Sequence, residues 1–154
     1  MSTTSVPTTA TADETAIRGL IEARNAAVHA GDADAVIANL TPDAITMTLA
    51  PPLRNLPERS HDADALRAWM GTFNGPVTLE TTDLVVHVGG DVAFAHGLTR
   101  MTATPQGSDE SFSFWYRSTV GLVRTGGEWK VAHEHESTPF LMDGSFLAAT
   151  DLQP

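Results

Sequence analysis

The sequence contains no cysteine. That excludes a disulfide framework, a thiolate metal site and a cysteine nucleophile, and it fits a reducing compartment, so a cytoplasmic location is expected. Basic residues are few: nine Lys and Arg, with Lys130 the one lysine, stand against 19 Asp and Glu for a formal charge of −10. Nucleic-acid binding relies on clustered Lys and Arg against phosphates, so neither nucleic acid nor an anionic membrane is expected as a partner. Long apolar runs are also missing. No stretch approaches the roughly 20 residues that a membrane helix needs. Residues 1–11 are rich in Ser, Thr and Pro, with no basic or apolar signal-peptide region, and read as a disordered tail. No glycine-rich phosphate loop is present, and Ser137 has no nucleophile-elbow context.

What is there suits one domain. The chain has 154 residues, 42% of them hydrophobic, enough to bury a core and hold a pocket. The domain is expected over residues 12–142, with a C-terminal tail at 143–154. A first helix reads from about Thr11–Asp13, with a Thr11/Glu14 capping box, to Ala30. Its stripe is Ala16, Leu20, Ala23, Ala27 and Ala30, widened by Ile17, Ile21 and Val28. Gly31 stops it, and Asp32 caps a second helix, Ala33 to Leu40. A strand at Ala44–Leu49, a proline-rich loop and a third helix at about Ala63–Phe73 follow. Segments 77–88, 92–104, 110–124 and 128–138 then read as long strands joined by hairpin turns, an antiparallel meander. Helices followed by strands predict an α+β fold in which the sheet curls over the helices.

Three stretches carry a family likeness. They are His29–Val36, Gly89–His96, and the C-terminal pair formed by Phe114–Thr119, the Gly126–Trp129 turn and His133–Phe140. They resemble the nuclear transport factor 2-like superfamily, in its SnoaL-like, ketosteroid-isomerase-like branch. The resemblance implies a cone-shaped curved antiparallel sheet around N-terminal helices, the cystatin-like α+β roll, and a homodimer formed by sheet packing. It also implies a pocket for a small apolar organic molecule. The superfamily holds isomerases, polyketide cyclases, epoxide hydrolases and dehydratases, and also binding and assembly proteins, so fold alone does not fix function.

Enzymes of this fold place acid–base groups in an apolar cavity, where desolvation retunes a carboxyl and a neighbour completes the proton-transfer pair. Side chains alternate along a strand. On the Phe114 strand, Phe112, Phe114, Tyr116, Ser118, Val120 and Leu122 form the more apolar face, which predicts Tyr116 inside. On the preceding strand the apolar set Val92, Phe94 and Leu98 brings His96 and Arg100 inward. The last strand stays open. Apolarity puts Trp129, Val131, His133 and His135 inside, whereas the resemblance puts the acids Glu134 and Glu136 there and turns the other four toward a dimer partner.

The expected catalytic pair is Glu134, moving a substrate proton, with His96 tuning or relaying it. Tyr116 would hold a carbonyl oxygen, and Arg117, His133, His135, Trp69 and Phe114 complete the substrate-binding set. The isomerase pattern's early aspartate base has no clear equivalent; Asp43 follows Pro42 in a turn. His133 and His135 have a spacing that can bind zinc, but no third ligand is evident, so no metal or cofactor is expected. Arg117 also reads as an interface ion pair, and Trp69 as core. The function expected is a cofactor-free acid–base enzyme of isomerase, polyketide-cyclase or dehydratase type on a small carbonyl-bearing molecule. The alternative is a non-catalytic small-molecule-binding or accessory protein.

Overall fold

A computed structural model describes residues 9–154; the first eight residues of the expected N-terminal tail lie outside the described residues. Helix α1 (Thr9–Ala30) starts two residues before the expected cap at Thr11. It buries Ile17, Ile21 and Val28. The alanines 16, 23 and 30 of the expected stripe face solvent instead. The branched side chains remove far more apolar area from water than a methyl does, and they set the rotation of the helix. Asp32 accepts from the Ala35 N–H at 3.1 Å and starts α2 (Ala33–Ile37).

α2 ends before Leu40, because Leu40 already belongs to strand β1 (Leu40–Met47). The strand expected at Ala44 thus begins four residues earlier and runs through Thr41-Pro42. Leu40 and Ala44 are buried, and β1 lies parallel to the last strand, with Leu40 opposite Val131 and Ile45 opposite His133. Tertiary pairing here overrides local helix propensity. A short α3 (Pro57–Ser60) sits in the expected proline-rich loop, and Asp62 caps α4 (Ala63–Met70). Strands β2 (Thr78–Gly89), β3 (Val92–Ala103), β4 (Phe112–Thr125) and β5 (Glu128–Ser137) form the antiparallel meander. The sheet order is β1-β5-β4-β3-β2, mixed and open, so the architecture is α+β with α1 packed across one face.

Two clusters share the interior. Ile17, Ile21, Leu40, Val86, Leu122, Trp129 and Val131 belong to one. Val28, Val36, Val77, Met101, Ala103 and Tyr116 make the other. The N-terminal turns of α1 are clamped to the first cluster. Asp13 takes Arg124 at 2.6 Å and the Trp129 indole N–H at 3.1 Å, so the buried Trp129 keeps a partner.

β2 bends between Thr82 and Val85, where Asp83 adopts φ 53. The bend brings the Thr82 carbonyl so close to Gly97 that a Cβ there would stand 3.0 Å from it. Gly97→Ala must push backbone rather than a flexible side chain, so a loss of about 1–3 kcal/mol is expected in thermal or urea unfolding. The expected C-terminal tail is an ordered return. Leu141 N–H donates to Leu147 O at 2.7 Å, Ala149 N–H donates to Pro139 O at 2.8 Å, and Ala149 is buried.

Candidate active site

Between α1 and the concave face of the sheet lies a cavity of about 370 Å³. Both apolar clusters contribute to its wall, Ile21, Leu40, Ala95 and Val120 from one and Val28, Val36, Met101 and Tyr116 from the other. α4 adds Leu66 and Trp69.

Glu134 and Glu136 both line this cavity. The reason is a β-bulge in β5. Val131 pairs with Leu122, whereas His133 pairs with Gly121, so Ala132 is an extra residue with no opposite number. A bulge shifts the parity of every side chain beyond it. Before Ala132 the strand turns Trp129 and Val131 into the core; after it the strand turns Glu134 and Glu136 into the cavity. Both sequence readings of β5 are thus half right. The acids face inward, but Trp129 and Val131 do not go to the outer face with the histidines.

The acids meet Arg24 from α1. Its Nη2 lies 2.8 Å from Glu134 Oε2, with side-chain exposures of only 12% and 18%. Burial works against the guanidinium charge, but the facing Glu134 carboxylate outweighs it and holds the proton on Arg24 more firmly than usual. Glu136 has no such partner. Burial first, and then the neighbouring Glu134 charge, push its carboxyl from 4.5 up to about 8, against a Leu49 backbone N–H and Arg24, which favour the anion. Glu134 holds the guanidinium, and the second carboxyl, raised to about 8, favours its protonated form at neutral pH. Tyr116 stands beside them on β4, 5% exposed. Burial and both glutamates push its phenol well above the ordinary tyrosine range, so it remains a hydrogen-bond donor.

The other expected site residues divide cleanly. Trp69 lines the cavity and packs edge-on against Phe73 at 5.3 Å. Phe114 packs beside Tyr116, 6.1 Å between ring centroids, with the second cluster and outside the cavity lining. His96 is exposed on the outer face of the sheet, 6.3 Å from the His87 ring and 6.4 Å from Phe94. The expected inward face of β3 is reversed. Ala95, Thr99, Met101 and Ala103 are buried, while Val92 and Phe94 are 59% and 48% exposed. The inward side of β3 lines the cavity with Ala95, Thr99 and Met101, leaving Phe94 outside. Arg117 is also outside, donating Nε to Ser137 Oγ at 3.1 Å. His133 sits with Nδ1 2.7 Å from Ile45 O, and His135 is exposed. Among the described residues, no three His, Asp or Glu side chains gather as a metal site.

Sequence reasoning missed Arg24 and passed over Glu136 as a site residue. The signal for Arg24 was present. Positions 17, 21, 24 and 28 share one helical face, and a lone arginine between isoleucine and valine faces the core. Asn55 went unnoticed in the proline-rich loop. It pairs with Thr46 through both backbone groups, and its Nδ2 donates to Thr46 Oγ1 at 3.2 Å, which ties that loop to the cavity wall.

A curved open sheet over an N-terminal helix, with ionisable groups in an apolar hollow, defines the nuclear transport factor 2-like class with its cystatin-like fold. The SnoaL-like domain model matches residues 17–141, and the chain belongs to that family. An NTF2-like protein of unknown function from Pseudomonas putida KT2440 is 36% identical, with a TM-score of 0.81 over 94% of this chain and 98% of that one. A candidate scytalone dehydratase from Novosphingobium aromaticivorans DSM 12444 shares the fold at 14% identity and TM-score 0.75, covering 92% and 93% of the two chains. A ketosteroid isomerase-like protein from Erwinia carotovora atroseptica does so at 22% identity and TM-score 0.66, over 80% and 93%. At these identities the last two show the fold alone. No functionally curated protein matches the sequence. Among the described residues, no helix is long and apolar enough to cross a membrane.

Proposed function

We propose that this chain is a cofactor-free acid–base enzyme of isomerase, cyclase or dehydratase type, acting on a small apolar molecule that carries a carbonyl group. The observation that supports it is a buried Arg24–Glu134 ion pair with a second carboxyl, Glu136, lining the same apolar cavity. Where two acids sit in environments that separate their proton affinities, one serves as acid and the other as base. Glu136, protonated, gives its proton to the carbonyl oxygen or to a departing hydroxyl. Glu134, ion-paired with Arg24 at 2.8 Å, takes the proton from the carbon next to the carbonyl. Tyr116 donates to the carbonyl oxygen as charge develops on it. In isomerisation Glu134 returns the proton to a different carbon, and the oxygen gives its proton back to Glu136 as the carbonyl re-forms. In dehydration the Glu136 proton leaves with the hydroxyl as water, and the proton on Glu134 passes back to Glu136. His96, on the outer face, takes no part.

The reading is tested by incubating cavity-sized ketones with the protein in deuterium oxide and following exchange at the carbon beside the carbonyl by NMR. Protein-dependent exchange is expected, with Glu134→Gln slowing it by roughly 10²–10⁴-fold while ligand affinity holds. Capture of the ketone with no exchange would overturn the enzyme reading in favour of a binding module.

The same reading includes a homodimer formed through the outer face of the sheet. Val92 and Phe94 are exposed there beside His87 and His96, an apolar patch of the kind that marks protein–protein contacts. Sedimentation velocity at micromolar concentration is expected to give a dimer, and Phe94→Glu a monomer.

A further inference from the structure

The cavity has a thin wall. On the far side of that wall, between α1 and β2, lies an open groove of about 500 Å³. β2 is an edge strand, so no further strand closes the groove from outside. Cavity and groove have five lining residues in common: Ile21, Asn25, Leu79, Thr81 and Leu84. A single layer of side chains therefore separates them. Three of the five are apolar. The other two close the layer with one hydrogen bond, Asn25 Nδ2 donating to Thr81 Oγ1 at 3.0 Å.

That bond is a weak closure. Both side chains are only half-buried. Among the described residues no backbone hydrogen bond joins α1 to β2, so the wall is made of side chains alone. A neutral hydrogen bond contributes about 0.5–1.5 kcal/mol net, and a ligand hydroxyl that bonds either partner replaces it. Asn25 makes no other side-chain hydrogen bond, which leaves its amide oxygen and second N–H for a ligand.

The groove is the more polar compartment. Arg18, Glu22, His29 and Asp83 stand around it. His29 Nδ1 lies 3.2 Å from Thr78 Oγ1. Arg18, Glu22 and Asp83 have no ion-pair or hydrogen-bond partner among the described residues, although Arg18 is half-buried. Charges of both signs therefore await partners. A neutral group with donors for the carboxylates and acceptors for the guanidinium fits them better than an ion of either sign.

We propose that the groove is the outer compartment of the same site, and that the molecule it takes has two parts. An apolar, carbonyl-bearing head occupies the cavity. A neutral, hydroxyl-bearing tail passes between Asn25 and Thr81 into the groove. Those two residues then determine specificity by admitting a thin polar chain in exchange for their own bond. This rests on the reading of the cavity as the ketone site.

Two ketones with one head separate the compartments: a methoxy-tetralone, and its analogue in which a hydroxyethoxyethyl chain replaces the methyl. Affinities are read by calorimetry on the wild type and on Ala26→Trp. Ala26 is exposed on α1 and lines the groove but not the cavity, so an indole there fills the groove without touching the head. The wild type is expected to bind the tailed ketone about tenfold more tightly, the scale of one hydrogen bond. Ala26→Trp loses that advantage, while its affinity for the methoxy ketone holds. An advantage kept in Ala26→Trp, or missing from the wild type, overturns the inference and leaves the cavity reading standing. Binding of neither ketone at millimolar concentration overturns the cavity reading and this inference with it. A second readout needs no variant. A nitroxide at the end of the tail is expected to broaden the amide NMR signals of Glu22, His29 and Asp83. Broadening at Arg59 and Asp62 instead, exposed residues that line the cavity away from the groove, would place the tail at the opposite opening and overturn the inference.

Discussion

Replacing Arg24 with methionine will destabilise the protein by about 3–5 kcal/mol, the loss typical when one partner of a buried ion pair is removed. The pair qualifies because both side chains are largely enclosed, at 12% and 18% exposure, and the bond is short at 2.8 Å. Methionine fills much of the same space, so the loss comes from the Glu134 charge left without a counter-ion rather than from a cavity. At roughly 2–4 °C per kcal/mol for a chain of this size, the melting temperature should fall by about 10 °C. The double change Arg24→Met/Glu134→Gln removes the stranded charge and is expected to recover most of the loss. A small effect in the single variant would mean that water reaches the pair and the interior is not dry. The same pair carries the catalytic proposal, so ketone exchange should also fall in Arg24→Met and should not return in the double variant.

The second large effect concerns pH. The Glu136 carboxyl titrates near 4.5 in the unfolded chain and near 8 in the folded one, raised by burial and by the Glu134 charge. Between those values the folded state binds the extra proton, so stability falls as pH rises, by at most about 1.4 kcal/mol per unit for one group. The contribution is fully present below 4.5 and gone above 8. Glu136→Gln carries a neutral amide of the same shape and lacks this slope. Melting curves of the two proteins should therefore run together near pH 4, separate up to about pH 8 and stay apart above it, with the variant the more stable by several degrees. Wild-type ketone exchange should decline above about 8, where Glu136 loses the proton that it donates.

The β strands and the α+β class were readable because each relies on a local signal, alternation over ten or more residues closed by glycine turns. The cavity was readable only in part, and each gap has a definable cause. The inward position of Tyr116 followed from an unbroken apolar face on β4. His96 was misplaced because β3 inverts the usual rule. Its concave side lines the cavity with alanine and threonine, while Phe94 lies outside. The parity of β5 could not be settled by alternation at all, since Ala132 interrupts it and β5 itself has no glycine or proline at the bulge. Arg24 was visible on the apolar stripe of α1, but nothing local says that its partner lies 110 residues away. The Asn25–Thr81 bond joins α1 to β2 and exists only once the sheet has closed over the helix.

The central claim is that one of two carboxyls in this cavity is kept protonated at neutral pH by its surroundings. It is tested most directly by titrating the Glu136 carboxyl carbon by NMR, with the resonance assigned by its absence in Glu136→Gln. A midpoint near 8 is expected. A midpoint at the ordinary 4.5 would show Glu136 exposed to water and ionised alongside Glu134, and would contradict the assignment of acid and base.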